Sequence, residues 1–341
     1  MKKTFLLFLC TIPFFAMLSA GLALKELSRP LTLDKPTKVD VAYGDSIYKV
    51  AAKLHKAEIL TYPKLWVWYA RAFDMAEKIK VGEYPIHSGD SQLQVLDNIV
   101  KGKVIHYTVT FLEGWTTAEA ITALHNSPGI VKTVEPKDHE LIVKSIGAEQ
   151  RFSHSEGLLY PDTYQYSRGT KDRDIMSLAY KRLIDELDKA WQGRDKNLPY
   201  KNAYEVLTMA SIIERETAVD AERKQIAGVF VRRLRQGMRL QTDPTVIYGM
   251  GDAYQGKIRY SDLRTPTAYN TYTIKALPPT PIALPTAASM QAAVHPLDNG
   301  MIYFVAKGNG EHQFSKTLAE HNAAVKKYQL NRSKDYRSSP Q

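Results

Sequence analysis

Apolar and polar positions alternate in short, recurring blocks along this chain. In "VDVAYGDSIYKVAAKLHKAEIL", Val39 and Val41 alternate with polar residues, the period-2 pattern of a short strand. Asp45 or Ser46 then offers a helix cap. Ile47, Val50, Ala51 and Leu54 follow at i, i+3, i+4 and i+7, which is one apolar helical stripe. A second copy lies in "VGEYPIHSGDSQLQVLDNIVKGK". Both copies hold Gly-Asp-Ser, at Gly44–Ser46 and Gly89–Ser91, and both place a valine four residues after the serine, Val50 and Val95. Leu54 matches Ile99. Two strand–turn–helix units are too few for a solenoid. Between them, "YPKLWVWYARAFDMAEKIK" predicts an aromatic-rich helix over Trp66–Ile79.

From about Thr108 the pattern reads as one longer unit. "TVTFLEGWTTAEA" predicts strand, turn, then a helix capped by Thr116 or Thr117, with Glu119 near the third helical position. Residues 125–150 are polar and helix-like. "SEGLLYPDTYQYSRGT", Ser155–Thr170, reads as a loop dense in tyrosine. "DIMSLAYKRLIDELDKAW" is an amphipathic helix ending near Trp191, and 192–203 is a linker. "NAYEVLTMASIIERETAV" is a helix with an Asn202…Glu205 cap and core positions Val206, Met209, Ala210, Ile213 and Thr217. "DAERKQIAGVFVRRLRQG" is the next helix and stops at Gly237. "GMRLQTDPTVIYGMG" predicts a strand, a Thr-Asp-Pro turn and a short helix. "TPTAYNTYTIKALPPTPIALP" is a proline-rich loop. Met301–Ala306 reads as a buried strand, followed by a Gly-rich hairpin turn and a capped C-terminal helix. Short strands mixed with helices give an α+β fold class, with residues 38–106 as a small α+β subdomain and 107–328 as a larger α+β domain.

The N-terminus bears on compartment. "TFLLFLCTIPFFAMLSAGLAL", Thr4–Leu24, carries no charge and matches the thickness of a bilayer, about 20 residues. It predicts a single transmembrane helix; a cleaved signal with a site near Ser19–Ala23 is the alternative. Lys2 and Lys3 favour a cytoplasmic N-terminus, residues 1–3, so the bulk of the chain faces outward from the inner (cytoplasmic) membrane into the periplasm. Residues 25–37 are a polar, proline-punctuated linker, and 329–341 is a tail with too little apolar content to order itself. The net charge of +10 calls for an acidic partner. An outward-facing chain makes nucleic acid a poor candidate and leaves an extracytoplasmic polymer or lipid head groups. Cys10 is the only cysteine, so no intramolecular disulfide or cysteine metal cluster forms. The nine histidines contain no His-Glu-x-x-His pair, and no metal or other cofactor is expected. His295 and His312 suit core or hydrogen-bonding roles.

Candidate chemistry centres on "SIIERET", Ser211–Thr217. On the helical wheel Glu214 is i+7 from Leu207 and i+4 from Ala210, so it lies on or beside the buried face. Glu216 lies about 200° round from it and is expected to point away, as is Arg215. Desolvation raises a carboxyl pKa toward neutrality, and an acid that keeps its proton there can donate it to a leaving oxygen. The structural alternative pairs Glu214 with Arg232, Arg233 or Arg235 on the following helix. Glu156 is the rival acid. As a loop carboxyl it is expected to be solvated. Long loops rich in tyrosine, amides and short polar side chains suit a saccharide, because rings lie against sugar C–H faces while amides and hydroxyls meet the hydroxyl rim.

Two resemblances extend this reading. Residues 38 to about 106 resemble a LysM module, whose strand, Gly-Asp-Ser/Thr turn and amphipathic helix bind N-acetylglucosamine polymers; a small packing domain without sugar affinity accounts for the same pattern. "EGLLYPDTY", "MASIIERET", "ERKQIAGVFVRRLRQGMRLQTDPTVIYG", "TPTAYNTYTIKALPPTPIALP", "AAVHP" and "YFVAKGNGEHQFS" are similar, in order, to the signatures of the MltG (YceG-like) endolytic murein transglycosylases. One departure is Thr280, where the family loop often has glycine. The resemblance implies cleavage of MurNAc–GlcNAc β-1,4 bonds within peptidoglycan glycan strands, giving 1,6-anhydroMurNAc ends without water. The first glutamate of Glu-x-Glu-Thr, the family's catalytic acid, maps to Glu214. Glu156, Tyr160, Asp162, Tyr164, Glu216, Thr217, Gln241, Thr242, Asp243, Tyr269, Asn270 and Tyr272 would shape the sugar cleft. The expected partners are glycan strands, the cell membrane and murein synthases of the elongation or division machinery. A non-catalytic murein-binding or divisome scaffold is the competing function. "GDAYQGKI" imitates a phosphate loop, but Ile258 stands where a hydroxyl must bind magnesium. "SIYK" imitates a penicillin-binding nucleophile but lacks its Ser-Asp-Asn and Lys-Thr-Gly partners.

Overall fold

A computed structural model describes residues 17–330 of the chain. Most of the expected membrane span, residues 4–16, and the tail beyond 330 lie outside the described residues. Among the described residues no helix is long and apolar enough to cross a membrane. The fold is α+β, with three two-stranded sheets among many helices in the described residues. The chain divides into two units. The first takes in the described residues up to Thr108, with Pro128–Val131 and Gln165–Thr170; the second takes in Val109–Ser127, Lys132–Tyr164 and the chain from Lys171 onward.

In the first unit, helix α1 (residues 17–27) precedes strand β1 (Thr37–Val41), helices α2 (Ile47–Lys56) and α3 (Pro63–Ala72), strand β2 (Gly82–Ile86) and helix α4 (Gln92–Lys101). β1 and β2 pair antiparallel with Val39 opposite Tyr84. The stripe Ile47, Val50, Ala51, Leu54 is buried, as are Val95 and Ile99 on α4. Both Gly-Asp-Ser triplets build the same turn. Asp45 and Asp90 each accept from the backbone three residues earlier, at Ala42 and His87, and Ser46 and Ser91 each cap the following helix. The repeat therefore encodes a capping turn, and the Asp45 carboxylate also pairs with Lys49 and Lys53. The helix expected over Trp66–Ile79 starts earlier, at Pro63, and stops at Ala72. Asp74 adopts φ +53°, and a left-handed residue cannot continue a helix.

Strand β3 (His106–Thr110) pairs with β4 (Thr163–Ser167), a strand inside the segment expected to be a loop. Its alternating burial shows a half-buried period-2 pattern that the tyrosines and turn residues around it obscured. Helix α5 (Thr117–His125) carries the expected capping box from Thr116 and Glu119. Between 125 and 150 only α6 (His139–Ser145) is helical. Helices α7 (Asp172–Gly193), α8 (Ala203–Glu216) and α9 (Asp220–Arg235) follow, then α10 (Asp243–Met250), α11 (Tyr260–Arg264) and α12 (Ala287–Val294). No strand precedes α10; Gln241 there adopts φ +55°, outside the extended region a strand requires. Strands β5 (Tyr303–Ala306) and β6 (His312–Ser315) form the Gly-turned hairpin, with only Val305 of β5 fully buried, before α13 (Leu318–Val325).

The core of the second unit is built on α8. Every residue from Val206 to Ile213 is buried, so this helix is packed on all sides. Each Leu or Ile buried there contributes about 1.5–3 kcal/mol. Helix α12 lies against α7, α8 and α9, and α10 lies against α8. On α9, Gly228 lets the backbone of Leu297 approach; a Cβ there would stand 2.1 Å from the Leu297 carbonyl oxygen. That carbonyl also accepts from Arg232, and Leu297 N–H donates to Lys224, so it is tied from both sides.

Gly228→Ala decides between two effects of opposite sign. Helix propensity alone favours alanine by about 1 kcal/mol, whereas overpacking against fixed backbone costs about 1–3 kcal/mol. The expected outcome is net destabilisation in a denaturant melt; a variant as stable as the parent would show that the 297 segment yields freely.

Candidate active site

Three glutamates of the second unit are drawn into its packing, Glu156 and the Glu214 side chain almost completely and Glu216 partly, and each meets different neighbours. Glu214 ends the packed stretch of α8, and its side chain is 3% exposed. Its partners come from elements that the helix wheel could not see. Arg223, on the first turn of α9, donates to Oε1 at 3.3 Å. Thr286, the N-cap of α12, donates twice to Oε2, from its backbone N–H at 2.8 Å and its hydroxyl at 2.6 Å. The carboxyl thus closes the N-terminal end of α12, where backbone N–H groups lack helical partners. Oε2 is filled by Thr286, while Oε1 has a single, longer contact. Arg223 is also paired with the exposed Asp220, and its Nε is buried with no hydrogen-bond partner among the described residues.

The arginines expected as partners of Glu214 go elsewhere. Arg232 binds the Leu297 and Met301 carbonyls, Asp298 and Asn299. Arg233 binds the carbonyls of Ile302, Arg239 and Leu240 and the Gln241 side chain. Arg235 reaches the Asn197 carbonyl, and Arg215 the Gly114 carbonyl. Each serves as a clamp on an irregular segment, because a guanidinium presents several donors and loop carbonyls lack ladder partners.

Glu216 does not point into solvent as the wheel suggested. Burial pushes its carboxyl up to about 7, partly offset by the Thr242 hydroxyl that donates to Oε1, with the nearby Asp243 charge adding to the rise. Its surroundings come from the start of α10 and the segment before it, so the periodicity of α8 carried no information about them. Glu156 also departs from expectation: it is 2% exposed. Burial raises it to about 6, opposed by Thr117 N–H at 2.8 Å, the Tyr248 hydroxyl at 3.0 Å and Gly157 N–H at 3.1 Å. His139 and His154 stack beside it with ring centroids 3.8 Å apart. Burial lowers both, His154 to about 4, so neither offers Glu156 a cation near neutral pH.

The loop residues expected to contact sugar separate into two groups. Asn270 is 1% exposed and is spent internally: its amide donates to the carbonyls of Asp262, Leu263 and Thr265, and its oxygen accepts from Tyr272 N–H. Tyr164, Thr217 and Thr242 are likewise buried. Thr217 donates to Glu222, which binds both the backbone and the Nδ1 of buried His312 at 2.7 and 2.8 Å. That network fixes the turn between α8 and α9, which carries Arg223. Gln241 and Asp243 are exposed, and Tyr160, Asp162, Glu216, Tyr269 and Tyr272 are partly so. The 241–243 and 269–272 segments are laced together through Gln241 N–H to the Thr271 carbonyl, Thr242 N–H to the Thr271 hydroxyl, and Tyr272 to Asp243 at 2.6 Å. Tyr160 lies under the Arg182 guanidinium, which pairs with Asp162. His295 bonds to Asp195 at 2.7 Å.

A second set of contacts joins the 280–286 segment to α8 and α10. Ser211 accepts from Ile282 N–H at 2.9 Å, three residues from Glu214 on the same helix. Tyr269 bonds to Thr280 at 2.9 Å and packs edge-on against Tyr248, the partner of Glu156. Thr280, the departure from glycine, also donates to its neighbour's carbonyl, Pro281. Arg223, Thr286, Tyr248 and Ser211 were not singled out from the sequence. For Thr286 a signal existed: a threonine directly before an apolar run marks an N-cap. Among the described residues no group of three or more His, Cys, Asp or Glu is placed to hold a metal ion.

Comparison with known proteins gives a consistent picture. The model of the YceG-like family matches residues 39–327. An endolytic murein transglycosylase of Bacillus subtilis is 32% identical over 322 residues, covering 89% of this chain and 88% of that protein. A protein of the same name from Streptococcus pneumoniae is 27% identical over 365 residues; the match covers 90% of this chain and 64% of the pneumococcal one. A crystal structure of a yceG-like protein from Listeria monocytogenes superposes with a TM-score of 0.52 at 29% identity, covering 85% of this chain and 99% of that one.

The raised carboxyls predict a pH dependence of stability. Below about pH 4.5, the ordinary value for glutamate, Glu216 is protonated whether folded or not. As pH rises toward about 7 the unfolded chain ionises while the folded one still holds its proton, so the unfolded state gains and stability falls. Glu216→Gln should remove on the order of 2 kcal/mol of that decline. Urea melts at about pH 5 and about pH 8 measure it; an unchanged slope in the variant would place the Glu216 proton equilibrium elsewhere.

Proposed function

Because the chain belongs to the YceG-like family, we propose that it is a lytic murein endotransglycosylase. It cuts the MurNAc–GlcNAc β-1,4 bond within peptidoglycan strands and leaves 1,6-anhydroMurNAc ends. One observation carries the reading at the level of residues: the shielded Glu214 carboxyl, held by Arg223 and Thr286 at the end of the helix that bears "ERET". Glu214 is the acid/base. Its proton passes to the departing GlcNAc O4 as the C1–O4 bond breaks. The C6 hydroxyl of the same muramyl residue then bonds to C1 and returns its proton to Glu214. No water is consumed and the carboxyl ends as it began. Hydroxyl and C1 belong to one sugar, so the reaction gains the advantage of an intramolecular attack.

In this reading the neighbours of Glu214 have parts of their own. Thr286 fills Oε2, leaving Oε1 to exchange the proton. Arg223 stabilises the carboxylate once the proton has gone. The exposed Gln241 and Asp243 with the partly exposed Tyr269 and Tyr272 line the approach for the strand. The N-terminal apolar segment anchors the chain in the cytoplasmic membrane and holds the catalytic unit on the periplasmic side, near nascent strands and the synthases that make them. The β1–α2–α3–β2 order supports the resemblance of the first unit to a LysM module.

A second reading has a specific observation behind it. Glu216, two residues on, is pushed up to about 7 by burial, and an acid that holds its proton near neutrality suits the donor step. Digestion of murein sacculi separates the possibilities. Glu214→Gln should fold and release no anhydromuropeptides by mass spectrometry, while Glu216→Gln should retain release with an altered pH profile. Near-normal release by Glu214→Gln, with none from Glu216→Gln, would transfer the acid role to Glu216. Retention of the wild-type protein on sacculi without any cleavage would instead support the scaffold reading, and reducing ends would make water the nucleophile.

A further inference from the structure

Helices α2 and α3 of the first unit enclose a groove of about 930 Å3 that nothing in the proposed reaction uses. Its floor is apolar, formed by small side chains of α2 and by Val67. Its rim holds Lys56, Lys64, Arg71 and His55, and no aspartate or glutamate lines it. Residues 47–72 hold five lysines and arginines and one acid, Glu58; Lys49 and Lys53 pair with Asp45, and among the described residues Lys56, Lys64 and Arg71 have no carboxylate partner. Two aromatics stand at this rim in water, Trp68 at 63% and Tyr48 at 58% exposure. Tyr48 accepts from Arg71 at 2.7 Å, which braces the rim without neutralising it. An apolar floor inside a cationic rim matches an anionic amphiphile.

The position of the groove in the chain favours lipid as that amphiphile. Leu27, the last residue of α1, is buried in the core of this same unit, so the apolar helix is fixed to the module and not merely tethered. A neighbouring cavity is lined by Leu22, Ala23 and Lys25 from the α1 side and by Tyr62 and Leu65 at the start of α3. The first turn of α3 therefore borders both spaces, since Pro63 and Lys64 line the groove. Met17, Leu18, Leu22 and Leu24 on α1 are exposed. Aromatic rings interleaved with lysine and arginine are the composition of a membrane–water interface, and cations there are drawn to acidic head groups.

We propose that the α2–α3 groove is a binding site for anionic phospholipid at the bilayer surface, by which the first unit lies against the membrane. This rests on the anchor reading above. The module then fixes the height of the chain over the bilayer, a constraint that a flexible linker would not impose.

The test uses the full chain in vesicles, with the single native cysteine removed as Cys10→Ser and a spin label placed at Trp68→Cys or, as a control in α7, at Leu178→Cys. In vesicles containing phosphatidylglycerol, the label at 68 should collide several-fold more with lipid-dissolved oxygen than the control and be shielded from a water-soluble nickel chelate. Phosphatidylcholine alone should abolish the difference. Each cation removed should weaken docking roughly fivefold, so Lys56→Glu with Lys64→Glu and Arg71→Glu should release the label. The same charge change at Lys144, Lys181 and Lys196 should not. Equal water exposure at 68 and 178 in anionic vesicles, or equal losses from both triple variants, would overturn the proposal. Shielding seen only in native membranes would overturn it in favour of an acidic protein partner. Resistance of vesicle-bound chain to a high-salt wash reports the anchor separately. If the chain washes off, its salt-sensitive cosedimentation with phosphatidylglycerol vesicles, compared between the two triple variants, still reads the groove.

Discussion

The Glu214–Arg223 pair, closed by Thr286, is the interaction on which the second unit depends. It joins the end of α8, the first turn of α9 and the start of α12 in one place. Arg223 is 7% and Glu214 3% exposed at the side chain, so neither group has water to fall back on. A buried pair of this kind contributes little net stability over an apolar packing of the same volume, while losing one partner is severe. Its retention makes sense as a positional device. The carboxyl can occupy only the spot where a guanidinium and a helix N-terminus both reach it. Supporting contacts reinforce that spot. Ser211 holds Ile282 on the segment leading to Thr286, and the Thr217–Glu222–His312 network holds the residue preceding Arg223.

Glu214, Glu216 and Glu156 show how one unit gives the same side chain three different sets of neighbours. Glu214 receives only donors, one of them charged. Glu216 receives a hydroxyl and lies near another acid, Asp243, so burial dominates and its proton is held to about 7. Glu156 receives two backbone N–H groups and a tyrosine, which hold its rise to about 6 despite nearly complete burial. Burial disfavours charge at a carboxyl; the number and charge of the donors decide how far that goes. Glu156 serves the architecture through those donors: it pins the start of α5 and, through Tyr248 and Tyr269, the loop around Thr280.

Local patterns were legible in the sequence where the physics is local. Capping at Ser46, Thr116 and Asn202 and the stripe on α2 all depend on residues within one or two turns. The surroundings of the acids were not legible in the same way. The wheel of α8 assumes one wet face, yet eight consecutive residues are buried because α7, α9, α10 and α12 surround it. Which direction is dry at Glu216 is decided by residues 242 and 243, and the partner of Glu214 by residues 223 and 286; no period in α8 encodes them. Strand β4 was hidden for a related reason. Tyr164 and Tyr166 point inward from a segment whose turn residues read as loop. Tyrosine carries both a ring to bury and a hydroxyl to satisfy, and here the hydroxyls find the Tyr160 and Pro128 carbonyls.

Charge illustrates the same division between composition and placement. A net +10 suggests a broadly basic surface, but three of the four arginines of α9 contribute little to one. Arg223, Arg232 and Arg233 are buried, and the latter two spend most of their donors on backbone carbonyls of irregular segments. Burial lowers both in pKa, with Asp298 opposing the shift for Arg232 and Tyr303 and Tyr272 for Arg233. Such cations are structural, since they replace the ladder partners that the segments around 240 and 297–302 lack. The positive charge free to meet a partner is therefore a subset defined by packing. Lysines with solvated ends and no structural carbonyl to serve, such as Lys56 and Lys64 beside an apolar floor, belong to it; guanidiniums sunk into loop carbonyls do not. Counting charge locates the class of partner, and only the distribution of donors between backbone and water locates the surface.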